Sequence, residues 1–68
     1  MIKEKRKQLG FTQEQVANKL NISLRQYFRI DNEEDLPRRD ILNKLIELFK
    51  MSDEEIGKYI RSITQKIA

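Results

Sequence analysis

An all-α domain is predicted for this chain, and three observations predict it. Apolar residues recur at three- and four-residue spacing along most of its length. Glycine and proline are confined to Gly10, Pro37 and Gly57, so the breaks between segments are short. Three capping-box pairs open amphipathic runs: Thr12 with Gln15, Ser23 with Gln26, and Ser52 with Glu55. In each, the hydroxyl can accept from an orphan backbone N–H while the later side chain reaches back to the N-cap.

The first helix is expected over about 2–9, with Gly10 taking the left-handed position beyond its end. The second, over about 13–20, gathers Val16, Ala17 and Leu20 on one face. Asn21 and Ile22 make the turn into a third helix over about 24–31, whose inner face carries Tyr27 and Ile30. After a loop over 32–37, Pro37 sits near the first turn of a fourth helix over about 38–50. Its apolar residues Ile41, Leu42, Leu45, Ile46, Leu48 and Phe49 exceed one narrow stripe, so it should be the most buried helix. The fifth runs over about 53–67, with Ile56, Tyr59, Ile60, Ile63 and Ile67 at helical spacing.

With 68 residues, the chain makes a single domain over 1–68. No apolar run exceeds two residues, so no membrane span is expected, and Met1-Ile2-Lys3 leads into no secretion-type apolar stretch. A cytoplasmic location is the expectation. The absence of cysteine and histidine removes disulfides, thiolate or imidazole metal ligands and the usual base of a catalytic triad. No glycine-rich phosphate loop is present, and residues 31–35 lack the ligand alternation of a calcium loop. The carboxylates of Asp53-Glu54-Glu55 suit a helix N-terminus without any chemistry. Neither an enzyme nor a cofactor or metal is expected.

Charge divides unevenly. Residues 1–29 hold seven basic and two acidic side chains, a net +5, while residues 30–36 carry Asp31, Glu33, Glu34 and Asp35, a net −4. The first part attracts polyanions; a short acidic block follows it. A modest positive excess is also what an ordinary solvated surface shows.

Residues 12–31 have the requirements of a helix-turn-helix. Two short helices meet at a tight turn, Ala17 is small enough for close approach, and Ile22 can plug the corner. The outward face of the third helix presents Leu24, Arg25, Gln26, Phe28 and Arg29. Arginine can pair bidentately with guanine and glutamine with adenine, while Leu24 or Phe28 could touch a thymine methyl. A helix of an ordinary bundle with polar residues outward has the same pattern.

Residues 2–56 resemble the lambda-repressor/Cro-like (Xre-type) helix-turn-helix family. The likeness runs through Ile2, Arg6, Gly10-Phe11-Thr12-Gln13, Val16-Ala17, Leu20, Ile22-Ser23, Tyr27 and Arg29-Ile30-Asp31-Asn32, then Pro37, Leu42, Leu45, Ser52 and Ile56. The resemblance implies a compact five-helix lambda-repressor-like fold and binding to double-stranded DNA. It implies that Leu24, Arg25, Gln26 and Arg29 read bases, and that Gln13, Ser23, Asn32 and Arg38 meet phosphates. It also implies an ion pair between Arg6 and Asp31, tying the first helix to the end of the third. As a partly exposed pair, it should orient the helices more than stabilise them.

Several positions depart from the family pattern. Lys5 stands where an apolar core residue is usual, so the first helix should pack through Ile2, Leu9 and the Lys5 stem. Glu33 replaces a glycine, Leu24 replaces a polar base reader, and the acidic block 31–35 would repel phosphates. Two functions therefore stand side by side. One is a sequence-specific transcriptional regulator, a bacterial or phage repressor. The other is a protein-binding module on the same fold (antitoxin, antirepressor or adaptor), with the loop 31–35 meeting a protein partner. Tyr59, Ile60, Ile63 and Ile67 are expected to pair with a second copy in a homodimer; the alternative is that the fifth helix folds back over the first.

Overall fold

The computed structural model describes residues 1–67. Five helices follow in order: α1 (Ile2–Gln8), α2 (Gln13–Leu20), α3 (Leu24–Asp31), α4 (Arg39–Phe49) and α5 (Asp53–Ile67). No strand occurs among the described residues. The segments match the periodicity to within a residue, and the differences have local causes. Leu9 caps α1 rather than extending it. Arg38 is the N-cap of α4, so Pro37 precedes the cap instead of entering the first turn.

All three capping boxes form. Thr12, Ser23 and Ser52 each accept the backbone N–H three residues on, at 3.1, 3.1 and 3.2 Å. The Gln15, Gln26 and Glu55 side chains accept the N-cap N–H at 2.9, 3.0 and 2.9 Å. Each such cap is worth about 1 kcal/mol. The helix ends share a second device. Beyond α1, α2, α3 and α4, Gly10, Asn21, Glu33 and Lys50 lie in the left-handed region with φ of 79°, 57°, 56° and 51°. At all four ends, the next N–H turns back to a carbonyl in the helix's last turn: Phe11 to Arg6, Ile22 to Ala17, Glu34 to Arg29 and Met51 to Ile46. Glu33 and Lys50 adopt this conformation against their own preference.

The core is a single cluster. Ile2 of α1 meets Val16, Ala17 and Leu20 of α2, Tyr27 and Ile30 of α3, Ile41, Leu45 and Phe49 of α4, Met51, and Tyr59 and Ile63 of α5. The fourth helix is less submerged than expected. Ile41, Leu45 and Phe49 form a buried stripe four residues apart, while Leu42, Ile46 and Leu48 flank it half-buried. Leu9 is exposed, which corrects its expected core role. Lys5 does pack as a half-buried stem, and its ammonium donates to Glu55 Oε2 at 2.6 Å. That contact fastens α5 to α1.

The fifth helix also corrects the expected dimer surface. Tyr59 and Ile63 are fully buried within the chain, because α5 folds back and completes the core that α1 alone is too polar to close. Ile60 is half-buried. The Ile67 side chain, the fourth residue of that surface, lies outside the described residues.

Candidate nucleic-acid interface

Helices α2 and α3 make the most extensive helix–helix contact of the fold. Ala17 and Leu20 face Tyr27 and Ile30 within the core, and Ile22 fills the corner half-buried. Packing of Tyr27, Ile30 and Asp31 fixes which side of α3 is left outward. Leu24, Arg25, Gln26, Phe28 and Arg29 occupy it, all exposed.

The expected readers are not equally available. The Arg25 guanidinium makes no ion pair among the described residues. Arg29 lies 3.8 Å from the Asp35 carboxylate, both side chains well exposed. Gln26 spends its carbonyl oxygen on the Ser23 N–H, closing the capping box. Its amide N–H donors and one lone pair of that oxygen remain, so a bidentate pairing with adenine would have to share the oxygen that closes the cap. The two roles assigned to Gln26 compete.

The expected phosphate contacts divide similarly. Ser23 accepts from Gln26 N at 3.1 Å through its oxygen, leaving its hydroxyl proton to donate outward. Asn32 is exposed at the C-cap of α3. Arg38 is exposed at the N-cap of α4, with one guanidinium nitrogen 3.5 Å from Asp40. An open groove of about 300 Å³ runs between α3 and the connection to α4, and it brings Gln26, Arg29 and Arg38 to one rim. Gln13 stands apart: it is half-buried, and its amide donates inward to Asp31 at 2.9 Å.

That inward bond belongs to a polar hub beneath the interface. Asp31 is 1% exposed and Arg6 8%. Arg6 donates Nε to Asp31 Oδ1 at 3.0 Å and Nη2 to Oδ2 at 3.3 Å, a bidentate fork. Tyr27 donates its hydroxyl to Oδ1 at 2.9 Å, and Arg6 Nη1 reaches the Phe11 carbonyl at 3.0 Å. The pair is therefore buried, not partly exposed as the sequence suggested. Burial alone would push the Asp31 carboxyl up, but the hydrogen bonds from Arg6, Gln13 and Tyr27 together hold it below its ordinary value. Burial, then the bond to Asp31, pushes the Tyr27 phenol far above its ordinary value. The hub joins the end of α1, the start of α2 and the last turn of α3, so the helix-turn-helix is held at its crossing by charge as well as by packing. Tyr27 lies one turn before Asp31, a spacing visible in the sequence; Gln13 offered no such signal.

The hub also changes the reading of the acidic block. Asp31 belongs to α3 and is buried, which removes it from any loop surface offered to a partner. Glu33 is half-buried and accepts from the Met1 ammonium at 3.0 Å. Asp35 is near Arg29. Glu34 is the one carboxylate of the block without an ion pair among the described residues. The net −4 of the sequence is thus largely neutralised within the chain.

Among the described residues, no helix is long and apolar enough to cross a membrane. No curated protein and no solved structure matches the chain. A family model described as helix-turn-helix matches residues 2–56, spanning the first four helices, the hub and the start of α5. The chain belongs to the lambda-repressor/Cro-like (Xre-type) helix-turn-helix family, a family of DNA-binding regulators.

Proposed function

We propose that this protein is a sequence-specific transcriptional regulator, a repressor of bacterial or phage type, that lays α3 in the major groove of DNA. The observation that carries this reading is the outward face of α3. Packing and the Asp31 hub use one side of the helix, and Arg25, in the first turn that enters a groove, and Arg29, in the last turn, project from the other. Arg25 is the principal base reader, with Arg29 released to the groove when its contact to Asp35 opens. Ser23, Asn32 and Arg38 are the phosphate contacts; Gln13 acts from beneath, by holding the start of α2 against Asp31. The protein works where the DNA is, in the cytoplasm. With Tyr59 and Ile63 in the core, the proposal is for one recognition unit per half-site, and pairing into a homodimer would have to use Ile60 and the end of α5.

Binding of the chain to a selected duplex and to random duplex over a salt series tests this. Affinity should fall steeply as salt rises, and the selected duplex should be preferred by about a thousandfold or more. Arg25→Ala should relax base preference, while Arg38→Ala should weaken all duplexes alike and lower the salt slope by about one. Affinity indifferent to salt refutes the reading. One observation favours a protein-binding module instead (antitoxin, antirepressor or adaptor): Leu24 and Phe28 are apolar and about two-fifths exposed on the same face.

A further inference from the structure

The groove between α3 and the connection to α4, about 300 Å³ in volume, has two unlike parts. Its inner part is apolar: Ile41 is buried, Ile22 and Pro37 are half-buried, and Leu36 stands 38% exposed in its wall. Its outer part carries Arg29, Arg38 and one carboxylate, Asp35. Both guanidinium groups are loosely engaged. Arg29 is 3.8 Å from Asp35 and Arg38 is 3.5 Å from Asp40, with all four side chains more than half exposed. Exposed pairs at such distances are weak, and either arginine can exchange its partner for a better-placed acceptor.

We infer that this groove binds a small organic carboxylate with an apolar body, and that the bound carboxylate competes with DNA. The competition rests on the DNA-binding proposal above; the binding itself does not. A backbone phosphate would use the arginines and leave Ile22, Leu36, Pro37 and Ile41 uncovered, so it accounts for only the outer half of the groove. An aliphatic or aromatic body takes that inner half out of water. The carboxylate end matches a guanidinium fork through two parallel N–H···O bonds. Charge selects the same end. Two arginines against one aspartate leave the lining net positive, which favours an anion over a cation. The volume suits a single small molecule, at the lower bound of such sites. Ligand and DNA exclude each other because both draw on Arg29 and Arg38. The effector site thus lies inside the DNA-binding unit and needs no separate ligand domain.

The test titrates the full chain with 3-phenylpropionate and follows backbone amide shifts by NMR. Two further probes separate the parts of the ligand: 3-phenylpropionamide lacks the charge, and acetate lacks the apolar body. The carboxylate should give saturable shifts centred on Ile22, Arg29, Leu36 and Ile41, with a Kd of about 5 mM or tighter. Both other probes should bind about tenfold more weakly or worse. Arg38→Ala and Leu36→Ser, both changes at exposed side chains, should each weaken the carboxylate several-fold. Asp35→Asn should tighten it, by freeing Arg29 and removing a like charge. No saturable shift, shifts centred elsewhere, or equal binding of the amide overturns the inference. The competition is read on a duplex selected from a random pool, with ionic strength held constant by acetate. At ten times its Kd, 3-phenylpropionate should weaken that duplex about tenfold. An unchanged duplex affinity while the groove is filled overturns the competition. Binding to no duplex overturns the proposed function and the competition with it, while the titration on the free protein still decides the site.

Discussion

Asp31→Asn is the substitution on which the account of the hub depends. The two carboxylate oxygens accept four hydrogen bonds, from Arg6 Nε, Arg6 Nη2, Tyr27 and Gln13, at 2.9 to 3.3 Å. A carboxamide keeps the shape but offers one oxygen, and its amino group points at donors. It also leaves Arg6, 8% exposed, as a buried cation without a counter-charge. Breaking one side of a buried pair costs about 3–5 kcal/mol. A domain of this size has a total stability of only about 3–10 kcal/mol. The variant should therefore melt at least about 12 °C lower, taking about 4 °C per kcal/mol, or fail to fold at room temperature. Far-UV circular dichroism against temperature and urea measures this. Lys5→Gln, which breaks the more exposed contact to Glu55, is the control and should cost no more than about 1 kcal/mol. A loss of less than about 1 kcal/mol for Asp31→Asn would refute the hub as a stabilising element. The pH dependence gives an independent check. Because the folded protein holds the Asp31 pKa below its unfolded value, the unfolded chain takes up the proton first as pH falls. The contribution is complete above the ordinary aspartate pKa and is lost as pH drops through the folded one, so the unaltered protein should lose stability steeply below about pH 4. Asp31→Asn should flatten that acid limb.

Three further predictions follow from the same geometry. Tyr27→Phe and Tyr59→Phe remove the same atom with opposite results. The Tyr27 hydroxyl donates to Asp31, and its loss should cost about 1–2 kcal/mol; the Tyr59 hydroxyl is buried without a partner among the described residues, and its loss should stabilise by up to about 1 kcal/mol in urea unfolding. Burial and the nearby Glu33 carboxylate raise the Tyr59 phenol, so stability falls above about pH 10, where the unfolded chain ionises first. Tyr59→Phe should reduce that alkaline loss. Lys50→Gly should raise stability by about 0.5–1 kcal/mol, because Lys50 is exposed and left-handed at φ 51°; a destabilised variant would contradict the strain assigned to that helix end. Asp35→Asn should tighten duplex binding a few-fold by freeing Arg29, with the largest gain at low salt, where the exposed pair is least screened.

Much of the fold can be read along the chain because the signals that set it are local. The boxes at Thr12, Ser23 and Ser52 involve residues three apart, and Gly10 stops α1 through its own backbone freedom. The α2–α3 core follows from spacings of three and four residues. Other features had no local signal. Glu33 and Lys50 take up the left-handed positions that glycine or asparagine would announce, and they do so because the surrounding chain dictates the turn. Met51 enters the core from a connection that no periodicity covers.

The sequence by itself determined the elements, their caps and the side of α3 that faces outward, since each depends on neighbours within a turn or two. Tertiary structure decided what the charges and the last helix do. Asp31 and Arg6 are 25 residues apart, and only packing shows that they are buried and that Tyr27 and Gln13 join them. An acidic block that looks repulsive to DNA is mostly neutralised by partners distant in the chain, Arg6 and the N-terminal ammonium among them. Tyr59 and Ile63 have the pattern of a surface stripe as well as that of a core stripe. Periodicity gives the face of a helix but not what covers it, and here the chain's own core takes in Tyr59 and Ile63.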